Sequence, residues 1–228
     1  MSFAFVFGYI TVVVSGISAE AISDEPFAQE VQTTFDASSG LGADIVYAVA
    51  IAQDGNVFAA TPSGVVMYNG KQWKKAKSPG FDVRLLVADK TGIWGIGDGK
   101  AALYEDGKWS NHTLENCQSV YAAALGNDGV YVGTDSGVYL LTPQSVEHAI
   151  PWREPVRALA SCSDAVYFGT DSGLYRTERR IGDVAFQLPV ELHPEDTRYG
   201  WSLRNVHAMT VEGDGLWFGA ENGAGYRD

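Results

Sequence analysis

A repeat with a period near 37 residues runs through this sequence, and it restricts the chain to folds built by setting equivalent supersecondary units side by side. One half of each unit is a short alternating run that opens with Val: Val46-Tyr47-Ala48-Val49, Val83-Arg84-Leu85-Leu86, Val120-Tyr121-Ala122-Ala123, Val156-Arg157-Ala158-Leu159 and Val206-His207-Ala208-Met209. The starts of these runs lie 37, 37, 36 and 50 residues apart. The other half places an aromatic after an apolar residue: Val57-Phe58, Ile93-Trp94, Val130-Tyr131, Val166-Tyr167 and Leu216-Trp217. Those aromatics are spaced by 36, 37, 36 and 50 residues, so two independent markers report one period.

Between the halves lie Asp54-Gly55, Thr91-Gly92, Asp128-Gly129 and Asp214-Gly215, strong signals for tight hairpins; Ser163-Asp164 takes their place in the fourth copy. Pro62-Ser63-Gly64, Asp98-Gly99, Asp135-Ser136-Gly137, Asp171-Ser172-Gly173 and Glu221-Asn222-Gly223 follow the aromatics as further turns. A unit of this size holds about four strands of five or six residues with short connections, which is the blade of a β-propeller. In the first copy the strands, A to D from the centre outward, read as Val46 to Ala52, Val57 to Ala60, Val65 to Tyr68 and Gln72 to Lys75. Trp73 and Trp109 mark strand D in two copies. A β-sandwich would not need equal spacing. The expected fold is therefore all-β, a propeller of five four-stranded blades.

The motif Asp128-Gly129-Val130-Tyr131-Val132-Gly133-Thr134-Asp135-Ser136-Gly137-Val138, echoed by Val166-Tyr167-Phe168-Gly169-Thr170-Asp171-Ser172-Gly173-Leu174, resembles the propeller repeats of the ligand-binding sensors found outside the membrane in bacterial two-component regulators. The resemblance covers about residues 45 to 226 and implies a ligand-binding sensor propeller. The matching residues are those of turns and core, so the likeness speaks to repeat type more than to ligand. Members carry seven blades or more. This chain departs from them in showing five copies and no kinase segment.

Composition narrows the function classes. With 46% hydrophobic and 19% charged residues the 228-residue chain can bury a substantial core, which excludes a disordered tail or a coiled coil. Sixteen Lys and Arg against 28 Asp and Glu leave a net charge of −12, which argues against nucleic acid or an anionic membrane as partner. Phe3 to Ile17 is almost wholly apolar and precedes Ala19-Glu20-Ala21, so residues 1–21 read as a secretory signal and 22–228 as the propeller domain. The run is short for a membrane span, and no other segment is apolar enough to cross a bilayer, so a secreted or periplasmic location is expected. The last copy lacks a fourth strand. Glu30 to Asp36 has the character of one, which predicts that residues 30–36 pair with the strand around Ala224 to Arg227 and close the ring. The alternative is a truncated array with further blades lost.

Candidate binding residues gather on the face that carries the D-to-A connections and B-to-C turns. The residue after the opening Val is Tyr47, Arg84, Tyr121, Arg157 or His207, and equivalent positions on inner strands form a ring near one mouth of the channel. Aromatic faces and guanidinium forks suit a sugar ring bearing carboxylate or sulfate. Trp152 and Arg153 are expected to border the mouth, with Tyr199, Trp201 and Arg204 from the long connection of Glu191 to Asn205. Alternatively these side chains tuck between blades or pair with the turn acids Asp98, Asp135, Asp171 and Glu221.

Other patterns are weaker. Thr61, Thr134 and Thr170 recur after strand B, where a hydroxyl satisfies backbone groups. His112, His148, His193 and His207 lack metal-ligand spacing, no dense oxygen-ligand loop for Ca²⁺ appears, and no cofactor motif is present. Cys117 and Cys162 fall near opposite faces and are not expected to form a disulfide. The leading expectation is a binding module for a glycan or small anionic molecule. A propeller lyase or glycoside-acting enzyme using His193, Glu195, Asp196 and His207, or a protein-interaction scaffold, are the alternatives.

Overall fold

The structure, a computed structural model, describes residues 33–162, 165–178, 186–192, 204–213, 215–221 and 223–227. The expected signal segment, residues 1–21, and Tyr199, Trp201, His193, Glu195 and Asp196 lie outside them. The described chain is all-β apart from one 3-10 turn, Ala37–Ser39, capped by the Asp36 carboxylate. No helix among the described residues is long and apolar enough to cross a membrane.

The period seen in the sequence is a period of antiparallel sheets. The first sheet runs β1 (Ala48–Ile51), β2 (Val57–Thr61), β3 (Gly64–Tyr68) and β4 (Trp73–Lys75). The second is β5 (Leu85–Ala88), β6 (Ile93–Gly97), β7 (Lys100–Glu105) and β8 (Lys108–Thr113). The third is β9 (Val120–Leu125), β10 (Val130–Thr134), β11 (Gly137–Thr142) and β12 (Ser145–Pro151). The fourth is β13 (Ala158–Cys162), β14 (Ala165–Gly169), β15 (Leu174–Glu178) and β16 (Val190–Leu192). A fifth sheet has three strands among the described residues, β17 (Ala208–Glu212), β18 (Gly215–Ala220) and β19 (Gly223–Arg227). Consecutive strands pair within each sheet, the meander expected of a blade.

The core lies between sheets, because strand alternation gives each sheet two apolar faces. Ala50, Phe58, Ala60 and Val65 of the first meet Leu86 and Ile93 of the second. Trp94, Ile96 and Leu103 then meet Val130, Val132 and Tyr139, and Tyr131 and Leu140 meet Leu159, Val166 and Phe168. Ala158, Ala160 and Leu174 meet Leu216 with Met209 and Val211. The strand B aromatic therefore points at the following sheet, and burying such a side chain stabilises the fold by about 1.5–3 kcal/mol. Along the inner strands, β1 lies beside β5, β5 beside β9, β9 beside β13 and β13 beside β17.

Two glycines of the repeat motif are explained by this spacing. A Cβ on Gly133 would sit 2.6 Å from the Val156 carbonyl oxygen, and one on Gly169 would sit 2.5 Å from the Val206 Cβ. Neither has the positive φ of a turn glycine; they make room for the next connection.

The expected closing strand, residues 30–36, requires a correction over its described part. Thr33 to Asp36 form no strand and pair with no part of β19. Instead Phe35 packs on Tyr68 and Trp73 at ring-centroid distances of 5.0 and 5.6 Å, and Leu41 is buried against Ala59 and Val66. An aromatic at 35 is held better by the two rings on the outer half of the first sheet than by β19, whose outer edge presents mostly exposed residues.

Candidate functional site

The five repeat-position residues are placed alike by the backbone. The amide N–H groups of Tyr47, Arg84, Arg157 and His207 each donate to a carbonyl of the neighbouring strand B, at Ala60, Ile96, Gly169 and Gly219, with distances of 2.8–2.9 Å. Tyr121 occupies the same place at the start of β9. All five thus stand at the entry of an inner strand, on the face where the connections between sheets emerge.

Four of their side chains meet in two pairs across sheet boundaries. The Arg84 guanidinium lies 4.7 Å from the centre of the Tyr47 ring, and that of Arg157 lies 5.2 Å from the Tyr121 ring. A guanidinium over an aromatic ring is held there by attraction to the negative face of the ring. Arg157 spends its donor fork on Asp171: its Nε and Nη2 donate to the two carboxylate oxygens at 2.5 and 3.1 Å. The bonds from Arg157 hold the Asp171 carboxyl below its ordinary range, helped by the charges of Arg157 and His207, and they raise the guanidinium in turn. Arg84 is exposed and stands in no ion pair among the described residues.

The turn acids are divided between two tasks. Asp135 accepts from the backbone of Gln118 and Ser119 at 3.0 and 3.2 Å, and Asp98 from Val120 at 3.2 Å. Glu221 accepts from the Asn205 amide at 2.7 Å. They pin the connections between sheets, whereas Asp171 takes a side-chain cation. Three of the turns are braced from below by the recurring threonine. The buried hydroxyls of Thr61, Thr134 and Thr170 donate to the carbonyls of Gly64, Gly137 and Gly173 at 2.9, 3.0 and 3.4 Å. The same oxygens accept from the backbone of Ser63, Ser136 and Ser172.

Of the bordering residues, Trp152 packs against the stacked rings of Phe168 and Tyr175, at 5.2 and 4.7 Å, as part of the wall between the third and fourth sheets. Arg153 and Arg204 are exposed on connections of the same face. Sequence reasoning did not single out Glu154, which accepts from the Ser172 hydroxyl at 2.6 Å beside the Arg157–Asp171 pair. Its signal was the Arg-Glu-Pro that precedes Val156, too short a pattern to stand out. Cys117 and Cys162 form no disulfide; their thiols lie 3.6 Å from the carbonyls of Ser119 and Gly213. No cluster of three or more His, Cys, Asp or Glu side chains is arranged for a metal among the described residues.

No family model and no curated protein matches the sequence. Solved structures do. The chain is similar to the computationally designed Ika8 protein, with a TM-score of 0.63 and 18% identity over 81% of this chain and 58% of that one. It is similar to the extracellular domain of a hybrid two-component system, BT4673 from B. thetaiotaomicron, with a TM-score of 0.55 and 15% identity over 81% of this chain and 27% of that one. The WD40 domain of Neurospora crassa Pan2 gives a TM-score of 0.55 and 12% identity over 77% of this chain and 56% of that one. The chain thus spans well under two thirds of the length of each. At these identities the likeness establishes the fold: four-stranded antiparallel sheets arranged as in a propeller.

Proposed function

We propose that this chain is a ligand-binding sensory propeller domain, acting in a secreted or periplasmic setting, whose inner-strand mouth takes a glycan or another small anionic molecule. In this reading the five sheets are its blades. The observation that carries the proposal is Arg84, held over the Tyr47 ring while its donors are left without a carboxylate among the described residues. A guanidinium so held is oriented before any ligand arrives and suits bidentate binding of a carboxylate or sulfate. Tyr121, 36% exposed, offers a ring face close by for a sugar. The sensory part of the proposal draws support from BT4673, whose matching region is an extracellular domain of a two-component system.

The test is a binding screen of the purified chain against uronate- and sulfate-bearing oligosaccharides beside their neutral counterparts. Anionic members should bind, and Arg84→Ala should weaken them by up to about fivefold, the ~1 kcal/mol of a well-aligned exposed pair. A screen with no anionic binder, or binding unchanged in Arg84→Ala, would sink the proposal.

A further inference from the structure

The repeat fixes what each face of a sheet is for, and two faces are left without their complement among the described residues. Leu86, Ala123, Leu159 and Met209 share one repeat position and pack on the preceding sheet. Val49 holds that position in the first sheet and is 41% exposed, with Ile51 beyond it at 60%. At the other end, Phe58, Trp94, Tyr131 and Tyr167 pack on the following sheet, whereas Trp217 is 44% exposed. Trp217 and Tyr226 form an aromatic pair on that open face, with ring centroids 4.7 Å apart. Among the described residues this interface is made four times, and one face of each kind is left exposed.

We propose that these halves belong together between molecules: the face of the fifth sheet bearing Trp217 packs on the face of the first sheet bearing Val49 and Ile51 of a second copy. The two surfaces continue an interface already present four times in the fold, so their complementarity is written into the repeat positions themselves. Shape agrees with this. Phe35 and Leu41 fill the outer half of the first sheet's open face, which leaves its inner half, with Val49 and Ile51, for the contact. Successive inner strands lie side by side from β1 to β17, whereas β17 and β1 are not packed on one another, so the two faces do not meet within one molecule. The contact is head-to-tail, with different patches meeting, so each copy offers one of each.

Sedimentation velocity and light scattering of the purified chain, at concentrations up to about 100 μM, test the proposal. The chain should associate. Ile51→Lys and Trp217→Lys, both at exposed positions and so compatible with folding as checked by circular dichroism, should each raise the association midpoint about tenfold or more. Mixing the two variants should restore a one-to-one complex, because each retains the half that the other has lost. A chain that stays monomeric would overturn the proposal, as would association indifferent to both substitutions or a mixture that fails to associate.

Discussion

Replacing Asp89 should unfold the second sheet's first hairpin at a cost that its contacts allow to be estimated. One carboxylate oxygen accepts from the Thr91 amide and hydroxyl, each at 2.6 Å, and from the Gly92 amide at 2.9 Å. The other accepts from the Trp94 indole N–H at 2.9 Å, and Trp94 is fully buried. In Asp89→Ala the turn amides reach water and lose about 0.5 kcal/mol each, while the stranded indole donor costs about 1–3 kcal/mol, for a total near 2–4 kcal/mol. Asp89→Asn keeps an acceptor for the turn but turns an N–H towards the indole N–H, so it retains the larger part of the loss. Burial pushes the Asp89 carboxyl up, yet the bonds from Thr91, Trp94 and Gly92 outweigh it and the group ends below its ordinary value. Its stabilisation is thus present above the unfolded value of about 3.9 and is lost as pH falls through the depressed folded value. Urea unfolding followed by tryptophan fluorescence should give lower midpoints for both variants at pH 7, with unchanged slope, and a gap that narrows in acid. Asp89→Asn unfolding with the wild type, or a gap that persists at the lowest pH, would refute the reasoning.

Gly133→Ala should destabilise the chain by about 1–3 kcal/mol, because its Cβ would press on the Val156 carbonyl 2.6 Å away. Gly219→Ala, whose nearest neighbour is 3.9 Å away, should be far milder, and equal melting temperatures would count against this account. Both cysteines should titrate as thiols in denatured, unreduced protein. Burial, with Asp135 and Asp98 nearby, raises the Cys117 thiol, so in the native protein it should alkylate more slowly at pH 8 than a free thiol; equal rates would contradict that. Arg157→Ala should return the Asp171 carboxyl to the ordinary range in a carboxylate NMR titration while changing stability by no more than ~1 kcal/mol, since the pair is exposed. An unshifted Asp171 would show that the pair does not persist in solution.

The sheets were legible because two markers of different chemistry, an opening Val and a strand B aromatic, kept step with each other through five copies, the longer last interval included. The threonine of three turns was legible for the same reason, and its bonds are those a hydroxyl makes to adjacent backbone. The role of Gly133 and Gly169 was not legible, because close approach of a following connection looks the same in sequence as a turn glycine. Nor was the joining of the ends. How many sheets complete a ring depends on the angle between neighbours, which follows from side-chain packing at each interface and leaves no trace in the period. At the mouth, position predicted which residues share a face. Pairing with the turn acids was open as an alternative, but nothing in the sequence said that Arg157 takes Asp171 while Arg84 rests on Tyr47 and Asp98, the acid of the equivalent turn, accepts from Val120 instead.

That difference gives the most direct test of the central claim, that the inner-strand mouth binds anions through a guanidinium held ready by an aromatic ring. Calorimetric titration of a sulfated or uronate-bearing oligosaccharide into wild type, Arg84→Ala and Arg157→Ala reads it out. The account predicts a loss of up to about fivefold for Arg84→Ala and a smaller one for Arg157→Ala, whose fork is already satisfied by Asp171. Equal affinities in all three proteins, or a loss confined to Arg157→Ala, would contradict it.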